Sequence, residues 1–362
     1  MKKTRLRIKR VLLLVVLLLI IGVITTLIYY KSSLGKVSTS TTDKEIVIKK
    51  GSSTKTIAQT LKKYSLIKNE FTFLVYIKLN NVNDLKYGTY LMKENMGVEK
   101  IVNMLQEGST YNPDEVTITF QEGINMREIA NIISKNTTNS YEDVINKAND
   151  IEYIKKLKEK YWFITDRLDN SNLYYKLEGY LYPNTYKLAN KEVSVEYIFD
   201  KMLAEMEKHL EEYKDFDYNN MEIHDYLSLA SMVEKESPVS KDRSKMAAVF
   251  LNRKAKGMNL GSDVTARYAN KIDDKSKALT AREFAMKSPY NTRLQDGSMN
   301  GRLPIGPIST ISKSSIDAVF NKDEHNYLYF ISNIKTQETF FYENYSDFLT
   351  KKQELASVNQ GF

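Results

Sequence analysis

Met221–Ser237 reads MEIHDYLSLASMVEKES and is followed by Pro238. Ile223, Tyr226, Leu227, Ala230 and Val233 recur at helical spacing, so the stretch reads as a helix with one apolar arc. Proline disfavours helical geometry in the residue before it, which ends the helix near Ser237 and puts Glu236 in its last turn. There the helix dipole presents its negative end, which disfavours a carboxylate and raises its pKa; partial burial acts in the same direction. A carboxyl kept protonated near neutral pH is what a general acid needs. Glu234 competes for that role. At about 100° per residue the two acids stand roughly 200° apart, on opposite flanks of the apolar arc, so they do not form a pair on one face. Periodicity does not choose between them, and both also read as solvated charges beside Lys235.

The third of the chain between 183 and 307, which contains this helix, is dense in rigid turns. Five of the six prolines (Pro183, Pro238, Pro289, Pro304, Pro307) and the glycines at 257, 261, 297, 301 and 306 fall in this third of the sequence. A second helix, with Ser240 as N-cap and Gly257 as its stop, turns Met246, Ala247, Val249 and Phe250 inward and carries Asn252 and Arg253 near its end. Ser262-Asp263, Ser288-Pro289-Tyr290-Asn291-Thr292 and Leu303-Pro304-Ile305-Gly306-Pro307-Ile308 come next. Polar side chains set among Pro and Gly suit a cleft that hydrogen-bonds a carbohydrate, although Asn and Asp are also ordinary turn residues.

Upstream, Glu45–Lys49 and Gly88–Met92 read as strands, and helices are predicted over Glu70–Leu79 and Val98–Gln106. Gly51 followed by Ile57-Ala58 and Leu61 repeats at the same offsets as Gly123 followed by Ile129-Ala130 and Ile133, each after a strand-like run. The fold class is α+β. The N-terminus is different in kind. Val11–Tyr30, VLLLVVLLLIIGVITTLIYY, carries no charge and at about 1.5 Å per residue spans about 30 Å, the thickness of a bilayer core. Lys2, Lys3, Arg5, Arg7, Lys9 and Arg10 precede it, so the flank belongs in the cytoplasm and the body outside. A cleaved signal peptide would have a shorter apolar run ending at a small-residue site, which Thr25–Tyr30 does not offer.

Those six cations account for most of the net charge of +8, so the remaining body is nearly balanced and nucleic acid is not an expected partner. The absence of cysteine excludes disulfides, thiolate metal sites and cysteine nucleophiles, and three scattered histidines, His209, His224 and His325, favour neither a metal centre nor a Ser-His-Asp triad. No metal and no cofactor is implied. The expected organisation is a basic tail over 1–10, a transmembrane helix over 11–30, a flexible Ser/Thr-rich tether over 31–44, a small α+β module over 45–112, a strand–helix connecting region over 113–175 and a catalytic domain over 176–362.

In their order, several segments resemble the YceG-like family of endolytic murein transglycosylases. They are Leu177-Glu178-Gly179-Tyr180-Leu181-Tyr182-Pro183, Ala230–Glu236, Val249–Arg253, Gly257-Met258, Ser262-Asp263, Ser288–Thr292, Leu303–Ile308 and Tyr327–Phe330, and the anchor extends the match over the whole chain. The resemblance implies a catalytic glutamate at Glu236, with Ser237 after it, and a LysM-like module near the membrane. It implies a lytic transglycosylase that cuts MurNAc-GlcNAc bonds of nascent peptidoglycan to 1,6-anhydro-MurNAc ends, terminating strand elongation. Its partners would be glycan strands, the bacterial plasma membrane, and penicillin-binding or other wall-synthesis proteins. Candidate substrate-binding residues are Glu178, Asn252, Asp263, Tyr290, Asn291, Pro304 and Gly306, with Arg253 weighed between ligand and loop. The chain departs from the family pattern at Asn184, Val264, Thr310-Ile311-Ser312 and Thr339. A hydrolytic muramidase and a non-catalytic wall-binding scaffold are the alternative functions.

Overall fold

The computed structural model describes every residue except Met1, Thr110, Asn219, Pro238, Lys275 and 360–362, with residues 2–11 described by their backbone alone. The chain forms two compact units, Met1–Asp114 and Glu115–Phe362.

The first unit opens with α1 (Lys2–Leu34), in which Leu12–Leu34 is long and apolar enough to cross a membrane. It continues through β1 (Lys44–Ile48), α2 (Thr54–Lys63), α3 (Glu70–Leu79), β2 (Gly88–Met92) and α4 (Val98–Glu107). β1 and β2 pair antiparallel, from Lys44 opposite Met92 to Ile48 opposite Gly88. Ile46, Ile57, Leu61, Phe73, Met92 and Ile101 close a small core between the sheet and helices α2, α3 and α4.

Residues 31–44 are not the flexible tether their Ser/Thr content suggests. α1 runs on to Leu34, Ser33 is buried, and the amides of Val37 and Ser38 both donate to the carbonyl of Glu94. The Glu94 carboxylate accepts from the Ser38 hydroxyl at 2.6 Å and from Lys44 Nζ at 2.6 Å. Composition alone does not show that these hydroxyls have a partner some fifty residues on.

The second unit contains β3 (Val116–Thr119), α5 (Met126–Asn136), α6 (Tyr141–Ala148), α7 (Ile151–Lys160), β4 (Thr185–Leu188), α8 (Val195–Leu210), α9 (Ile223–Glu236), α10 (Arg243–Ala255), α11 (Asp263–Ala269), α12 (Ala281–Phe284), α13 (Lys313–Phe320), β5 (Tyr329–Ser332), β6 (Thr339–Tyr342), α14 (Tyr345–Glu354) and α15 (Ala356–Asn359). The expected division after residue 175 is not a boundary between compact units. β3 pairs antiparallel with β4, Val116 opposite Leu188, so residues 115–175 share one core with the rest of the unit.

The repeated glycine–helix offsets correspond to repeated local structure. In both units a strand is followed by a glycine with positive φ (Gly51 +82°, Gly123 +70°) and then by a helix. Ile57, Ala58 and Leu61 are buried in the first unit, as Ile129, Ala130 and Ile133 are in the second. A second helix and an antiparallel closing strand complete each unit, although in the second α7 and residues 161–184 intervene first.

α9 is the spine of the second unit. It packs against α10, α11 and α13, and all its residues from Ile223 to Val233 except Asp225 are buried. Its buried polar groups find partners inside: Ser228 donates to the His224 carbonyl, Ser231 to the Ser228 carbonyl, and His224 bonds Tyr180 and the Ile305 carbonyl. A helix buried this completely holds its last turn rigidly, which is the requirement for placing a reactive group.

Candidate active site at the end of α9

α9 ends at Glu236 and Ser237 is already extended (φ −107°, ψ 106°). Pro238, read as the stop, lies outside the described residues. The last turn sends its two carboxylates to opposite environments, as their angular separation requires.

Glu234 is clamped. Its side chain is 4% exposed and pairs with Arg243 at 3.0 Å. It also accepts from the amide of Ser312 at 2.9 Å and from that residue's hydroxyl. Arg243 Nη1 extends the network to the hydroxyls of Ser312 and Ser314. A carboxylate so fully engaged ties α9 to α10 and α13.

Glu236 is held by a neutral donor and keeps partial contact with solvent. The Ser262 hydroxyl donates to its Oε1 at 2.6 Å, and among the described residues it forms no ion pair. Burial is the largest influence on the carboxyl and pushes it up to about 7; the negative charge of Asp263 adds to the rise, while Ser262, Arg293 and Arg253 oppose it. Desolvation therefore outranks the other influences on this group. Ser262 stands at the N-cap of α11, yet its hydroxyl makes no capping bond and serves Glu236 instead. It is fixed in turn: its amide donates to Thr292 Oγ1, and its carbonyl accepts from the Thr265 hydroxyl at 2.6 Å. Asp263 pairs with Arg293 at 3.0 Å, with both side chains open to solvent, and Arg293 lies over the Phe284 ring.

The other expected site residues are distributed otherwise. Glu178 is 1% exposed and accepts from the Met126 amide and the Tyr268 hydroxyl, so it caps the N-terminus of α5. Its carboxyl is also raised to about 7 by burial, but it lies closed off from solvent. Gly179 beside it has φ +78°, and a Cβ there would meet Pro307 at 2.2 Å, so only glycine lets these loops meet.

Asn252 does not face a cleft: its amide donates to the carbonyls of His325 and Tyr327 and holds the approach to β5. Tyr290 is fully buried, packed at a tilt against the rings of Tyr174 and Tyr268, with its hydroxyl accepting from the Tyr174 amide. Asn291, also fully buried, donates to the carbonyls of Phe284 and Met286. Pro304 is buried, and Gly306 packs against Leu173 and His224 at the opening turn of α9 rather than at its end. These residues brace the scaffold because polar atoms in buried loops need partners and find them nearby. Only Asp263 of the seven comes to Glu236.

Arg253 braces a loop as well, donating to the carbonyls of Leu328 and Leu260 beneath the Tyr329 ring. Sequence reasoning placed Ser262 in a cleft-forming Ser-Asp pair without giving it a role, and it missed Arg293 and Arg243. A Ser preceding a helix signals a cap, and nothing local shows that its hydroxyl turns elsewhere.

A cavity of about 440 Å³ flanks the same helix end on the Glu234 side, lined by Gly123, Lys235, Val264, Arg267, Tyr268 and Ile308 among others. Glu236 is not in its wall, so the cavity is a neighbour of the acid and not its chamber. Among the described residues no group of three His, Cys, Asp or Glu side chains is arranged to hold a metal ion.

This order of segments around a buried helix end coincides with a family model. The model described as the YceG-like family matches residues 46–354. The chain belongs to the YceG-like family. It is 33% identical over 324 residues to a protein of Bacillus subtilis (strain 168) named endolytic murein transglycosylase, covering 89% of this chain and 87% of that one. A Streptococcus pneumoniae protein of the same name is 31% identical over 314 residues, 83% of this chain, and the match spans only 56% of that longer relative. The crystal structure of a YceG-like protein from Listeria monocytogenes superposes with a TM-score of 0.60 at 32% identity, over 86% of this chain and all of that one.

Proposed function

We propose that this YceG-like chain is a membrane-anchored lytic transglycosylase of peptidoglycan, with Glu236 as its acid–base group. The observation that carries this reading is a carboxyl at a rigid helix end, raised to about 7 by burial, on a partly exposed residue and, among the described residues, in no ion pair. In the reaction Glu236 gives its proton to the oxygen linking MurNAc to GlcNAc, and the bond breaks through an oxocarbenium-like state. The carboxylate then accepts the proton of the same sugar's C6 hydroxyl, which attacks C1 and closes the 1,6-anhydro ring. No water is consumed, and one carboxyl group serves both steps. Ser262 holds the carboxylate in place, and Asp263 favours its protonated form.

The apolar helix anchors the chain with its basic end in the cytoplasm and the second unit outside. The strand–helix–helix–strand unit between them supports the LysM-like reading of that module. Within this proposal the natural partners are nascent glycan strands and the wall-synthesis proteins that make them, penicillin-binding proteins included.

Hydrolysis is the second reading, favoured by the nearness of Asp263, a second carboxylate of the kind that activates water. One experiment decides. The full chain in detergent is incubated with uncrosslinked glycan and the new ends are weighed. Anhydro ends, lighter by one water, support transglycosylation; reducing MurNAc ends support hydrolysis; an unchanged glycan removes both.

A further inference from the structure

α3 reads EFTFLVYIKL, and of its ten residues only Glu70, Thr72 and Lys78 are polar. A helix apolar on every side is normally buried on every side. This one is not. Thr72, Phe73 and Ile77 face the core, whereas Phe71 is 74% and Leu79 67% exposed, with Val75 half-buried between them. Phe71, Val75 and Leu79 stand at successive four-residue steps and form one stripe along the outward side. Two neighbouring features fix where that stripe sits. α3 packs against the last turn of α1: Tyr30, where the uncharged run ends, is a close neighbour of Tyr76, and Lys68 Nζ donates to the Ser32 carbonyl at 2.8 Å. The joint is also stiff, since Ser33 is buried, Leu34 packs on the core of the module, and residues 37–44 are tied to Glu94.

We infer that the Phe71–Val75–Leu79 face of α3 lies in the outer lipid interface, making the module a second, monotopic membrane contact beside the span. The inference rests on the reading of α1 as a membrane anchor. The height of the stripe carries it: α3 is pinned at the level where the apolar span gives way to Lys31, which is where the acyl chains meet the headgroups. An interfacial helix buries its apolar face about 5–10 Å into that boundary, and Lys78 beside Leu79 reaches up to the headgroups. The module is then held at a set distance from the bilayer.

The chain contains no cysteine, so a single introduced one is a unique reporter. Full-length Phe71→Cys, Leu79→Cys and Lys49→Cys are labelled with an environment-sensitive fluorophore and reconstituted in phosphatidylglycerol-containing vesicles with or without nitroxide lipids. Lys49 is exposed and lies at the far end of β1 from the Lys44–Glu94 contact. Labels at 71 and 79 are expected to be blue-shifted and quenched at least about twofold by a nitroxide near the headgroup, and the label at 49 to be unaffected. If the protein floats with vesicles while 71 and 79 behave like 49, the inference falls and the anchor stands. If the two labels are blue-shifted without lipid quenching, a second copy covers the stripe and the inference falls. Failure to float removes the anchor and the inference together.

Discussion

The two flanks of the last turn of α9 carry the same functional group to different ends. On one, Glu234 is saturated by a guanidinium, an amide and a hydroxyl and binds three helices together. On the other, Glu236 is a partly exposed residue with one neutral donor among the described residues, and burial of its carboxyl holds the proton near neutrality. Two residues apart, one carboxylate is saturated by partners and the other sits on a partly exposed residue with a neutral donor. What separates them is the partner set that the surrounding elements bring, not their own identity or their place on the helix.

The sharpest break of that contrast is Glu236→Gln. It removes the proton donor and keeps the shape, so turnover should fall by about 10²–10⁴-fold or more. Its stability should rise, with a definite pH sign. The native carboxyl holds its proton up to about 7, whereas the unfolded one loses it near the ordinary glutamate value of 4.5. Between those values the native state binds more protons, so its stability falls as pH rises, and the deficit is complete above 7. Glu236→Gln should therefore melt higher than the parent at pH 8 and near it at pH 4. A variant that melts lower at pH 8 would mean that the carboxylate is bound by something favourable and is no poised acid.

On the opposite flank the effects should reverse in kind. Arg243→Met strands the 4%-exposed Glu234 side chain without its cation, and leaving a buried charge unpaired costs about 3–5 kcal/mol. Chemical denaturation should show that loss, while the turnover of the remaining folded enzyme changes little. Arg243→Met/Glu234→Met in one chain should recover much of it, because the desolvated pair is replaced as a whole. If the single variant lost turnover without stability, Glu234 would belong to the chemistry and the contrast would dissolve.

These same residues mark how far the fold and site were legible. Helix α3 and strand β2 fall on their predicted limits because the signals are local: Asn69 caps α3 through its own side chain, and from Thr89 the strand alternates partly buried with fully buried residues. The position of Glu236 at a helix end and its separation from Glu234 follow from periodicity and the following proline. Partners at long range do not announce themselves. Asn252, Tyr290 and Asn291 have the residue types of a sugar cleft, yet their polar atoms are satisfied by backbone groups brought up by folding. The departures from the family pattern are similar. Thr310 bonds the Ile124 amide and Ser312 bonds Glu234, so both are parts of the frame. Ser262 stood in the sequence only as half of a Ser-Asp pair, and nothing local gave the direction of its hydroxyl.

That direction yields the finest test of the comparison. Asn252→Ala should weaken the approach to β5 by about 1 kcal/mol and leave the pH profile of kcat/KM in place, since its two bonds lie away from the acid. Ser262→Ala and Asp263→Asn should move that profile, and in opposite directions. The Ser262 bond stabilises the Glu236 carboxylate and lowers its pKa, so without the hydroxyl the proton is held to higher pH and the falling limb of kcat/KM shifts up. Asp263 raises the same pKa by like charge, so Asp263→Asn draws the limb down, and the Arg293 cation left without its partner draws it further the same way. Equal shifts of one sign would point to a general loosening of the loop; opposed shifts require Glu236 to be the titrating acid, set between a donor that favours its charge and a neighbour that opposes it.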